Sequence, residues 1–141
     1  MTRATEQLDR MVARTYTRSP SAEALDLPLI DGWSPGRVWC EWTVEARFAN
    51  GRGVLFGGYL SAVLDDLGVS ASDTLVGDDE TGVTQDLRVT YFRPGKVGER
   101  LRLEAEVVNA SARTHHVEAK AARSDGKLVA AATVVVALVQ T

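Results

Sequence analysis

One segment with sustained helical periodicity, followed by strand patterns to the end, most constrains how this chain can fold. Over residues 57–75, Leu60, Val63, Leu64, Leu67, Ala71 and Leu75 recur at the three- and four-residue spacing of one helix face. That apolar stripe needs a partner, and the strands around it are what the chain offers. The economical solution is an α+β fold. A curved antiparallel sheet of five to six strands wraps around one long central helix, with a short N-terminal helix added.

Residues 5–15 predict that short amphipathic helix, with Leu8, Met11 and Val12 on one side and Asp9 and Arg10 on the other. Residues 18–30 contain Pro20 and Pro28 and predict an irregular cover segment, and residues 31–36 a turn. Residues 37–47 alternate as a half-buried strand, with Trp39 and Trp42 on opposite sides and one of them expected in an interface. Four further strands are predicted at 83–92, 100–109, 114–123 and 128–139. Their short connections predict antiparallel hairpins, most clearly at Ser124-Asp125-Gly126-Lys127. The last strand is apolar on both faces, which predicts a central place covered on both sides. The organisation expected is an N-terminal helix and cover segment, 1–36, and a domain at 37–141.

A length of 141 residues suits a single core of ordinary composition. The formal net charge of −3 excludes nucleic-acid binding driven by bulk charge. Cys40 is the only cysteine, so no intrachain disulfide or cysteine-based zinc site exists, which suits a reducing, cytoplasmic location. Residues 1–13 lack the apolar middle of a signal peptide, and no apolar run reaches the ~18 residues of a membrane span. His115 and His116 are neighbours on a strand and point to opposite faces, so they cannot share a metal. They are expected at the surface or an interface, and neither metal nor cofactor is expected.

Chemistry concentrates at the start of the long helix. A glycine-rich loop, Asn50-Gly51-Arg52-Gly53, is followed by the pair Gly57-Gly58. Glycines at a helix mouth leave backbone N–H groups free to meet an anion or a carbonyl oxygen. Two carboxylates, Asp65 and Asp66, lie further along. At ~100° per residue, Gly58, Ser61, Asp65, Gly68 and Ser72 fall on one stripe, small except for Asp65. That stripe is expected to face an approaching surface or ligand. Asp66 falls roughly opposite, near Tyr59 and Asp73, and is the weaker candidate. By pattern alone the aspartates read first as a solvated face and Gly57-Gly58 as a tight turn, while Asn50 is equally a turn residue and Thr84 equally a strand residue.

The order of elements, Asn50, then Phe56-Gly57-Gly58-Tyr59-Leu60, then Asp65 seven positions after Gly58, resembles the hotdog-fold acyl-CoA thioesterases of the PaaI-like family. The blocks at 82–94 and 95–101 extend the resemblance across residues 37–139. One position departs: the family's motif has His where Phe56 stands, and Phe neither donates nor accepts a hydrogen bond. The resemblance implies hydrolysis of the thioester of a small or medium acyl-CoA, aromatic acyl groups included. The Gly57 N–H, helped by Gly58, would hold the developing oxyanion, with Asp65 as nucleophile or general base. Thr84 would orient water, and Asn50 would fix the loop or the carboxylate. Phe56, Gly58, Tyr59, Ser61, Tyr91, Arg93 and Lys96 are the implied substrate-binding residues. Leu55 and Leu60 complete the acyl pocket, and Arg88 and Arg113 join Arg93 and Lys96 as candidates for the phosphates. The implied partners are acyl-CoA or an acyl-carrier protein and further copies of the chain, as dimer or homotetramer, with neither nucleic acid nor membrane. Thr84 of one copy then serves Asp65 of another. A non-hydrolytic acyl-thioester-binding protein, a sensor or accessory factor, is the alternative that Phe56 favours. Dehydratase chemistry needs a His near the helix, and none is expected there.

Overall fold

Two short helices, α1 (Arg3–Val12) and α2 (Pro20–Leu25), lead into strands β1 (Gly32–Ser34) and β2 (Arg37–Thr43). A 3-10 turn at Ala46–Phe48 and a loop precede the long helix α3 (Gly57–Asp73). Strands β3 (Glu80–Tyr91), β4 (Arg100–Ala110), β5 (Thr114–Arg123) and β6 (Leu128–Gln140) follow. The computed structural model describes every residue, Met1–Thr141. All strand pairs are antiparallel and form one sheet in the order β1-β2-β4-β5-β6-β3. The sheet curves around α3, the hotdog arrangement expected from the sequence.

The helix lies in the sheet because their apolar faces match. Leu60, Val63, Leu64, Leu67 and Ala71 are buried against inward-facing residues such as Val38, Leu103, Val117 and Val134. Leu8 of α1, Ala22 of α2, Leu27 and Ile30 join the same core, so the two short helices and the segment up to Ile30 add to the helix side of the sheet. No helix is long and apolar enough to cross a membrane.

Several expectations are corrected. The β3–β4 connection is not a hairpin. β3 pairs with β6 and β4 with β2, so the chain crosses the sheet between them. The linking residues are pinned instead by the regions around Val44 and Leu55: Leu55 donates to the Gly95 carbonyl at 2.8 Å, and Gly98 to that of Val44 at 2.8 Å. Alternation identifies strands but not their partners, and this linker, with Pro94 in it, does not form a tight turn.

The cover segment is not wholly irregular. Ser19 caps α2 by accepting from the Ala22 N–H, and Pro20 sits in its first turn, where a missing N–H costs nothing. Residues 31–36 hold the β1–β2 hairpin rather than only a turn. Strand β6 is interior, but only its inner face is covered. Its outer face carries Ala131, Thr133 and Val135, half-buried among neighbouring strands. Trp42 faces the core beside Phe48 and Tyr59, and Trp39 faces outward with the Arg37 guanidinium 5.2 Å from its ring centroid. The sheet's two edges differ: β1 has three residues, whereas β3 offers a twelve-residue edge with no strand beyond it.

Candidate active site

Helix α3 begins without a side-chain cap. Phe56 occupies the capping position and makes no capping hydrogen bond. The N–H groups of Gly57 and Gly58, first in the helix, have no intrahelical acceptor, and no loop carbonyl takes them. Neither glycine has positive φ, so left-handed backbone is not the reason for glycine here. Two aromatic rings lie over the pair instead. A Cβ on Gly58 would lie 2.7 Å from Phe56 Cε2, and one on Gly57 would lie 3.2 Å from Tyr91 Cζ. Phe56 is nevertheless 56% exposed.

The preceding loop is held by Asn50, whose Oδ1 accepts from the Arg52 N–H at 2.9 Å and the Val54 N–H at 3.4 Å. Of its two implied roles, Asn50 fills the loop-fixing one. The loop then folds back, with Phe56 donating to the Phe48 carbonyl at 2.8 Å.

Two turns into α3, Asp65 meets strand β3. Thr84 Oγ1 donates to Asp65 Oδ1 at 2.7 Å, and both residues are half-buried. This corrects the expectation that Thr84 serves another copy's Asp65, because the bond lies within one chain. The register of β3 against β6 shifts between Thr84 and Asp86, a bulge next to the Thr84–Asp65 pair. It keeps Gly82 and Thr84 facing the helix while Leu87 and Val89, beyond it, pack inward as well.

The small stripe is not an open surface along its whole length. A Cβ on Gly68 would lie 2.8 Å from Val134 Cγ2, and Ser72 is fully buried. Beyond Asp65 the stripe is therefore the line where helix and sheet press closest. Ser72 Oγ lies 2.7 Å from His115 Nδ1, and His115 is buried. The expectation of a surface or interface His115 fails because β5 turns it toward α3. Burial pushes its pKa down. His116 faces the other way and is exposed, as strand alternation requires.

Asp66 and Asp73 point away from the Asp65–Thr84 pair. Burial, then the neighbouring Asp65 charge, pushes Asp66 up to about 6. Burial, then Asp66, pushes Asp73 up to about 7. Burial drives the Cys40 thiol up to about 12, which leaves it protonated and inert.

Two hollows flank the start of α3. One, of about 660 Å³, is lined mainly by Leu25, Phe48, Phe56, Tyr59 and Ala62, with Asn50 and Arg47 among its polar residues. The other, of about 350 Å³, includes Leu55, Gly57, Leu60, Tyr91 and Arg93. The residues expected to form one acyl pocket are thus divided between two. Tyr59 belongs to the wall: its ring stacks on Phe48 with centroids 3.8 Å apart, and its hydroxyl donates to the Asp26 carbonyl at 3.0 Å.

Of the expected cations, Arg93 donates to the Leu128 carbonyl at 2.8 Å beside the smaller hollow, and the Lys96 side chain is exposed nearby. Arg88 is 82% exposed and paired with Asp86. Arg113 lies at the far end of the sheet: its carbonyl accepts from Leu138, whereas Tyr91 pairs with Ala130, eight residues or ~26 Å of strand away. Sequence reasoning missed Arg47 and α2. Arg47 lies 4.5 Å over the Phe48 ring and joins Arg18 on the Asp26 carboxylate, which both hold below the usual carboxylate range. The strand expected over residues 37–47 ends at Thr43, and a 3-10 turn carries Arg47 and Phe48, so periodicity misplaced Arg47 in the strand.

Residues 52–130 match the thioesterase superfamily. Human acyl-coenzyme A thioesterase 13 is 31% identical over 110 residues, 77% of this chain and 76% of its own. The crystal structure of a phenylacetic acid degradation-related protein from Ralstonia eutropha JMP134 superposes with a TM-score of 0.80 at 26% identity. The match covers 93% of this chain and 98% of the other. The smu.793 protein of Streptococcus mutans UA159, bound to acetyl CoA, shares the fold with a TM-score of 0.73 at 21% identity, over 79% and 88% of the two chains.

Proposed function

We propose, for a chain that belongs to the thioesterase superfamily, the hydrolysis of small or medium acyl-CoA thioesters, aromatic acyl groups among them. The observation that carries this proposal is the pairing of an uncapped glycine turn at one end of α3 with a Thr84-anchored carboxylate two turns in. The free N–H of Gly57 meets the oxygen of the thioester carbonyl as it becomes an oxyanion. Losing such a donor costs ~10²–10³ in rate. Asp65 takes a proton from water as that water attacks the carbonyl carbon, and the intermediate collapses by expelling the thiolate. In the covalent variant Asp65 attacks first, and water hydrolyses the resulting anhydride.

Gly57 and Asp65 are eight residues apart on one helix, a rise of ~12 Å. They cannot address one carbonyl from the same chain. The working site therefore takes Asp65 and Thr84 from one copy and the Gly57 turn from a second. Thr84 lies on β3, the long edge with no strand beyond it, where Val83 is 52% exposed. A second copy adding its own β3 there covers the edge and brings the two helices together. The larger hollow, mostly apolar, takes the acyl group, and Arg93 and Lys96 beside the smaller one meet the phosphates of CoA.

The test is free-thiol release over a panel of acyl-CoAs, with Asp65→Asn beside the wild-type protein. At least a ~10²-fold loss is expected, the scale of a lost general base or nucleophile. Equal rates would remove Asp65 from the mechanism. Binding without turnover on every substrate would make the protein an acyl-thioester sensor instead.

A further inference from the structure

The uncapped start of α3 poses a physical problem. Oxyanion donors work because they are held in place before the charge develops. Here the helix begins with two glycines, has no cap, and is preceded by a loop with an exposed tip. The plane that carries the Gly57 N–H is held through the Phe56 carbonyl, which accepts from Tyr59 at 3.1 Å and Leu60 at 3.2 Å; the next plane, between Gly57 and Gly58, takes a side-chain bond as well.

Tyr91 supplies that bond. It is the last residue of β3, and its ring fills the space over Gly57 where a Cβ would be. Its hydroxyl donates to the Gly57 carbonyl at 2.5 Å. The same hydroxyl oxygen meets Ser61 Oγ. A phenol has one proton, and a carbonyl can only accept, so Tyr91 gives its proton to Gly57 and Ser61 gives its own to Tyr91. The result is a short directed chain, Ser61 to Tyr91 to the carbonyl of Gly57. That carbonyl and the Gly58 N–H belong to one planar peptide unit. A bond to the oxygen therefore fixes the direction of the Gly58 N–H and polarises it toward its own acceptor.

We propose that Tyr91 is a positioning residue for this reaction. It holds the Gly57–Gly58 peptide so that the Gly58 N–H, the second donor beside that of Gly57, is presented to the oxyanion, and Ser61 orients the tyrosine. The inference rests on the hydrolytic function proposed above and changes what Tyr91 and Ser61 do in it: they brace the donor instead of binding substrate. It also gives the glycine pair a reason. Any side chain at residue 57 would press on the tyrosine ring that braces the turn.

The experiment compares wild type, Tyr91→Phe, Ser61→Ala and Asp65→Asn in thiol release, with thermal melting of each. Tyr91→Phe keeps the ring and removes only the hydroxyl. The expected result is a fall in kcat of about 10-fold, with KM within about 2-fold and an unchanged pH profile, because a misplaced donor weakens the transition state alone. Ser61→Ala is expected to lose less, about 3-fold, in the same pattern. In the uncomplexed proteins, Tyr91→Phe should also shift the Gly58 amide proton resonance. A full kcat in Tyr91→Phe overturns the proposal, and so does a KM rise at constant kcat, which would make the hydroxyl a substrate contact. In both cases wild type remains active and Asp65→Asn inactive. If wild type releases no thiol from any acyl-CoA, the hydrolytic function itself fails and takes this role with it.

Discussion

Thr84 on strand β3 donates a 2.7 Å hydrogen bond to Asp65 on helix α3 within a single chain. The bond ties the candidate catalytic carboxylate to the strand that forms the free edge of the sheet. One of the carboxylate's two oxygens is thereby fixed, so its orientation is set before substrate arrives. Thr84→Val, which keeps the shape and removes the hydroxyl, should lower kcat by roughly 10-fold, because a general base or nucleophile must be held in line to act. Steady-state thiol release checks this, with an unchanged melting temperature as the control for folding.

The ~12 Å separation of Gly57 and Asp65 along one helix leads to a complementation test. Gly57→Pro removes the N–H at the first helix position, and its ring also displaces the Tyr91 ring, so the variant disables the helix mouth in two ways. That variant and Asp65→Asn should each be inactive alone. Co-expressed in equal amounts, they should recover about a quarter of wild-type activity, because half the dimers are mixed and half the sites in those dimers are intact. No recovery would show that Gly57 and Asp65 do not meet across a subunit boundary.

Phe56 stands where the resembling family has His, and its ring lies over Gly58. It is exposed enough for substitution without loss of core. Phe56→His should raise kcat by up to about 10-fold by adding a hydrogen-bonding side chain at the helix mouth. A fall in kcat would show that the phenyl ring itself shapes the acyl site.

Gly68 is a packing glycine. Gly68→Ala forces a Cβ to within 2.8 Å of Val134 Cγ2, so helix and sheet must separate. A loss of about 1–3 kcal/mol is expected in denaturant unfolding, the usual cost of overpacking.

The protein's pH dependence carries two opposing contributions. His115 is buried, and burial holds its folded pKa below the ordinary imidazole value of 6.5. Its contribution is present above that value and is lost as pH falls through the folded pKa, because the unfolded chain takes up the proton first. Asp73 and Asp66 are raised from 3.8 to about 7 and about 6. Their protonated forms suit the fold, so this contribution is present below pH ~4 and is lost as pH rises through those values. Asp73→Asn should therefore raise the melting temperature at pH 8 and have little effect at pH 4. His115→Gln should flatten the acid side of the stability profile.

The sequence alone determined the long helix and the five longer strands, and its spacing singled out Asp65 over Asp66 as the candidate, because periodicity and spacing along the chain are local facts. The stripe of Leu60, Val63, Leu64 and Leu67 needs no structure to be seen, nor does the distance from Gly58 to Asp65. Which strands pair, what the small stripe touches and which chain supplies Thr84 are relations between residues far apart in sequence. Alternation reports only which way each residue faces, so it is silent on them. The β3–β4 crossover, the burial of Ser72 with His115 and the tyrosine clamp on the Gly57 carbonyl all depend on where the chain returns after tens of residues. Only the packing of α3 into the curved sheet decides that.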